Sequence, residues 1–283
     1  MNENAIKDRL KVIAKEKNVT FNEVWKQLLL ERFLARISKS QHNDKFIFKG
    51  GLLLAQFLTI GRETMDIDFL ITKIKAENSI IKETIIEIAN IDLEDGFNFS
   101  FNSVEELFQP HMEYGGFRIK FNAELGKMND IIQVDLGVGD LVNPNINSFH
   151  PFEYKGKPIF EEKISLFMYP VESIFSEKLE TVISKGSTNS RMKDYHDIIL
   201  MLREPNLLNI SKLKNTINET FKHRETLLEI PIHFDEVGIR KLQTLWTSHL
   251  KGLGEFKDKL NLPKNIIEVL KEINDWIKIN IIQ

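Results

Sequence analysis

Two aspartates separated by one residue, in "TMDIDFL", have the types and spacing that could do the most chemistry. If the segment is a strand, alternation puts Asp66 and Asp68 on one face and Ile67 and Phe69 on the other, with the two carboxylates about 7 Å apart along the chain. Like charges held side by side call for a cation between them, and hard oxygen ligands suit Mg²⁺ or Mn²⁺. The plainer alternative is a strand end with two solvated aspartates. Upstream, in "KGG", Lys49 precedes Gly50 and Gly51 at a strand-to-helix turn. Glycine lets backbone N–H groups approach an anion at a helix N-terminus, so a phosphate cradle beside a metal pair fits a nucleotide. A third carboxylate stands in "DIIQVDLGVGD", where Asp135 shares a face with Gln133 and Ile132, Val134 and Leu136 take the other. Asp135 either joins the pair, as two-metal phosphoryl transfer requires, or is an outward-facing strand residue.

Two further charges fall on apolar helix faces. At 100° per residue, Val171, Ile174, Phe175 and Val182 form one stripe with Lys178 at its centre. A buried ammonium is costly unless it meets an anion, so Lys178 needs either a carboxylate partner or a ligand phosphate. In "RMKDYHDIILML", Asp194 falls among Tyr195, Ile198, Met201 and Leu202, with Asp197 at the edge. Asp194 either orients Lys178, positions a substrate hydroxyl, or pairs with a nearby arginine. The preceding "SKGSTNSRMK" has Lys185, Arg191 and Lys193 without an acid and reads as a small basic lip. His196 lacks a second ligand at metal spacing and reads as structural. There is no G-x-S-x-G and no G-x-x-x-x-G-K-[ST], so serine hydrolases and P-loop enzymes lack their basic chemistry.

The elements that must position these residues follow from periodicity. Helices are predicted over 5–17 and 21–37, with Thr20 and Glu23 as a capping box. A strand at 46–48 runs through the glycine turn into a helical "LLLAQFL", and "MDIDFLI" is a second strand. A helix follows over 76–89, then strands at 97–101, 117–123 and 131–138. The Pro- and Asn-rich stretch 143–158 reads as a long surface connection and domain boundary, and only helical patterns follow from Val171. The expected architecture is α+β: a mixed-sheet domain with leading helices over 1–158, a mainly helical domain over 159–283, and a cleft between them.

Thirty-eight basic against 41 acidic residues give a net charge of −3, which excludes a globally basic nucleic-acid coat but not a local basic patch. The absence of cysteine removes disulfides, zinc–cysteine sites, iron–sulfur clusters and thiol nucleophiles together. The charged N-terminus and the lack of a long apolar run lead to the expectation of a cytoplasmic chain with no membrane partner.

Taken in order, "FKGGLLL", "RETMDIDF", "IQVDLGVGD", "YPVESIFSEKLE" and "RMKDYHDI", from about Phe46 to Ile198, resemble the AbiEii/AbiGii family of nucleotidyltransferase-like toxins. The resemblance implies a DNA-polymerase-β-like nucleotidyltransferase core with a helical C-terminal domain, Mg²⁺-dependent transfer from an NTP, and a cognate antitoxin. Carried over by position, Gly50 and Gly51 match the phosphate-binding glycines, Asp66 and Asp68 the metal pair, Asp135 the third-carboxylate strand, Lys178 the "EK" lysine and Asp194 the last motif. Many nucleotidyltransferases have Gly-Ser where this chain has Gly50-Gly51, so backbone amides, with Lys49 beside them, must hold the phosphate without a serine hydroxyl. The resulting expectation is a toxin in which Lys178 neutralises the triphosphate, Asp194 fixes that lysine or the acceptor, and Arg62, Arg191 and Lys193 steer RNA, the 3′ end of tRNA by resemblance. Two alternatives stand beside it: transfer to a small molecule such as an aminoglycoside, and a non-catalytic nucleotide-binding module.

Overall fold

The N-terminal amphipathic spacing folds into α1 (Glu3–Lys17) and α2 (Phe21–Lys39). The capping box at the start of α2 is complete: Thr20 Oγ1 accepts from the Glu23 amide, and the Glu23 carboxylate accepts from the Thr20 amide. The computed structural model describes residues 3–107, 115–160 and 163–282. It divides into one unit of Met1–Gln56 with Glu63–Tyr169 and another of Phe57–Arg62 with Pro170–Gln283. The first unit thus runs past residue 158, and six residues from within its span belong to the second.

In the first unit, β1 (Phe46–Lys49) turns at Gly50 into the short α3 (Gly50–Leu54), and β2 (Asp66–Ile71) follows. After α4 (Asn78–Ala89) come β3 (Phe97–Leu107), β4 (Gly116–Leu125) and β5 (Met128–Val138). The stretch expected as a long connection instead holds β6 (Asn145–Ser148), β7 (Glu153–Tyr154) and β8 (Lys157–Pro158), ahead of β9 (Ser165–Met168). The correction has a simple cause. β6 is "NINS", an exposed strand with no apolar alternation, and it exists because it pairs with β9. The helix expected through "LLLAQFL" ends at Leu54.

Among the described residues, seven strands form one mixed sheet in the order β3-β4-β5-β2-β1-β9-β6, and β7 and β8 form a separate hairpin. β2 runs parallel to β5 and antiparallel to β1. One sheet face is apolar, with Phe48, Phe69, Ile119, Phe121 and Val134 fully buried. Phe33 of α2 packs against Phe99 and Phe121 at ring-centroid distances of 5.5 and 5.3 Å. Buried Arg32 and Arg36 of the same helix converge on Asp95, satisfying a carboxylate that would otherwise be stranded in the interior. The opposite face holds Lys49, Asp66, Asp68, Gln133, Asp135 and Arg118. Alternation alone puts them there.

The second unit is helical: α5 (Val171–Lys185), α6 (Met192–Arg203), α7 (Ile210–His223), α8 (Glu236–Gly252), α9 (Phe256–Lys259) and α10 (Ile266–Ile277), which ends in a π-helical turn over Lys278–Ile282. Phe175, Tyr195, Ile198, Leu213, Leu242, Trp246 and Ile273 fill its core. No helix among the described residues is long and apolar enough to cross a membrane.

Candidate active site

Gly50 explains how β1 and β2 meet. Its φ is +79°, a left-handed conformation that favours glycine, and a Cβ there would lie 1.9 Å from Asp68 Oδ2. No other residue fits without moving that carboxylate. Asp68 therefore sits against the turn that opens α3, as the sequence pairing of "KGG" with D-x-D anticipates. Asp66 lies two residues earlier on the same face, half-buried, with no ion pair within 4 Å among the described residues.

Strand register lines up a row of charges. Lys49 is opposite Asp68, Asp68 opposite Asp135, and Asp135 opposite Arg118. Lys49 Nζ reaches Asp140 Oδ2 at 3.1 Å and donates to the Tyr169 hydroxyl at 3.4 Å. Its cation is thus already engaged at the sheet. The expectation that Asp135 joins Asp66 and Asp68 meets a different arrangement. Arg118 Nε and Nη2 donate to its two oxygens at 3.0 and 2.8 Å, and Gln133 adds a contact at 3.3 Å. Among the described residues no three His, Asp or Glu side chains are placed to hold one metal ion. The hydrogen bond with Asp135, helped by the charges of Asp135, Glu105 and Asp66, holds the Arg118 guanidinium above its ordinary pKa.

The donor set on β2 does fit a divalent ion of the Mg²⁺ type, which keeps several waters and binds through one or two carboxylates plus substrate phosphates. Asp66 and Asp68 would supply those carboxylates.

In the second unit, Lys178 of α5 lies between two aspartates of α6, with Nζ 3.0 Å from Asp194 and 2.8 Å from Asp197. Of the two roles open to the lysine, the structure displays the carboxylate partner. Arg62, expected to steer RNA, is committed elsewhere: its side chain is 8% exposed and forms a two-point contact with Asp197 at 3.1 and 2.6 Å. Arg191 Nε lies 3.1 Å from Asp194, on a side chain 61% exposed, and Lys193 is exposed. Burial alone would raise the Asp197 carboxyl, but Lys178 and Arg62 outweigh it and hold the group well below the usual carboxylate range. Burial likewise opposes the Lys178 ammonium, and Asp197 and Asp194 reverse this and keep it above the ordinary lysine value.

His196 is fully buried, with Nδ1 2.9 Å from His249 Nε2, and burial lowers both imidazoles to about 4. Both are therefore neutral near pH 7. Sequence reasoning passed over Arg118 and left Asp197 at the edge of its stripe. The i, i+3 spacing of Asp194 and Asp197 is the signal that both face one partner.

A family model described as the nucleotidyl transferase AbiEii toxin of type IV toxin–antitoxin systems matches residues 32–272. The chain belongs to this family. As an AbiEii nucleotidyltransferase toxin it uses an NTP and has an antitoxin as its counterpart, and the mixed sheet followed by helices agrees with the fold read from its motifs. Two solved structures from H. pylori are similar to this AbiEii chain. One, described as a candidate nucleotidyltransferase, is 12% identical, with 92% of this chain and 95% of that one covered and a TM-score of 0.47. The other, JHP933, is 14% identical, with 86% and 97% covered and a TM-score of 0.43. No curated protein matches the chain.

Proposed function

We propose that this AbiEii toxin transfers a nucleotide from an NTP to an RNA acceptor, the 3′ end of tRNA, with Asp66 and Asp68 holding one Mg²⁺ or Mn²⁺ ion. The observation that supports this most strongly is the placement of Asp68 against Gly50, which brings a carboxylate of β2 against the glycine turn that follows β1. A bound ion would offset the negative charge of the triphosphate. Gly50 and Gly51 present backbone rather than side chain to the phosphates, with Lys49 beside them. In the reaction the acceptor hydroxyl oxygen bonds to the α-phosphorus and gives up its proton to solvent, the bond from that phosphorus to the oxygen bridging to the β-phosphate breaks, and pyrophosphate leaves with the electron pair.

In the second unit, Asp194 and Asp197 hold Lys178 in place, and Arg191 and Lys193 are the exposed cations we assign to RNA. Incubating the protein with Mg²⁺, total tRNA and each α-³²P-labelled NTP in turn, with Asp68→Ala as control, tests the reading. Label on tRNA that disappears in the variant is the expected result. Label on no RNA with any NTP would overturn it.

A further inference from the structure

The two cations in the charged row behave differently. Lys49 reaches Asp140 and Tyr169, whereas Arg118 takes both oxygens of Asp135. A two-point guanidinium–carboxylate contact is planar, and the arginine never loses its charge, so it is a fixed counter-ion to that carboxylate. A metal ion on Asp135 would have to compete with that fixed charge for the carboxylate. Two-metal transfer needs ions about 3.5–4 Å apart, bridged by shared ligands. Here Asp135 already has its cation, and no group of three acids converges among the described residues.

We propose that Arg118 is a built-in cation of the transfer site. It stands at Asp135 in place of a second divalent ion, and the chain binds a single ion, on Asp66 and Asp68. Arg118 is a positioning residue in this scheme, acting through Asp135. Opposite it across the β3–β4 ladder lies Glu105, which adds a second negative neighbour on the same face. The inference rests on the reading of Asp66 and Asp68 as the metal pair.

Counting bound Mn²⁺ by electron paramagnetic resonance, on the full chain with a non-hydrolysable NTP analogue, tests it. The wild type is expected to bind one ion, Asp66→Asn none, and Asp135→Asn one, with affinity changed less than about threefold. Arg118→Gln releases Asp135 and is expected to bind a second ion, while Arg118→Lys stays at one. Should Arg118→Gln fail to fold, the count for Asp135→Asn decides by itself. Two ions in the wild type, one lost in Asp135→Asn, would overturn the inference and leave the metal pair standing. A folded Arg118→Gln that stays at one ion would also overturn it. No ion in the wild type would overturn the inference and the metal reading together.

Discussion

Both units place several charges close together, but they balance them differently. In the second, Asp197 meets Lys178 and Arg62, and Asp194 meets Lys178 and Arg191, so each carboxylate has two cations. In the first, Arg118 compensates Asp135, while Asp66 is left half-buried without an ion pair among the described residues. A closed set of buried charges holds helices in register, and its loss is felt as stability. An open carboxylate contributes little to folding and keeps its charge for a ligand. The contrast separates a positioning network from the site we propose for the substrate, although both look alike as clusters of acids in sequence.

Asp66→Ala should break the comparison most visibly, lowering transfer by ~10²–10³-fold or more while leaving the urea midpoint nearly unchanged. A large loss of stability in that variant would erase the distinction. Asp197→Asn should do the reverse, costing about 3–5 kcal/mol in chemical denaturation, because Lys178 and Arg62 lose a buried counter-charge. The Asp197 carboxyl is depressed in the folded state, so its contribution is present above the unfolded value of about 3.9 and fades as pH falls below it. The stability gap between wild type and variant should narrow on acidification.

Gly50→Ala should lie between these, since its methyl would force Asp68 aside; strain of about 1–3 kcal/mol and reduced transfer should appear together. The smallest effect belongs to Glu63. Its hydrogen bond to Glu23 pushes its carboxyl up to about 6, so stability is greatest below the usual value of 4.5 and declines as pH rises through about 6. Glu63→Gln should flatten that slope by only a few tenths of a kcal/mol, because the side chain is exposed. A steeper slope in the variant would show that another group titrates there.

Periodicity revealed most of the elements, because α2, α4 and β2 each repeat apolar residues at the spacing of their own geometry. It did not reveal β6 or β9. The first is polar throughout, and the second is four residues long, too short for any period to register. At the site, D-x-D and the double glycine were legible because they act within a few residues of one another. Arg118 was not, because its partner lies on another strand, although the clue was present. Gly126 has φ +59° in a two-residue hairpin loop that sets Leu125 opposite Met128, and seven steps back along each strand bring Arg118 to Asp135. Register had to be counted from the turn.

Phe57–Arg62 belongs to the second unit although the first unit flanks it on both sides, and this has a consequence for biosynthesis. A ribosome makes Arg62 135 residues before its partner Asp197, an interval of roughly 7–27 s at about 5–20 residues per second. Gly61 waits longer still for Leu260, against which it packs. The nascent strand bearing Asp66 and Asp68 is therefore joined to a segment that becomes anchored only after most of the polypeptide has been translated.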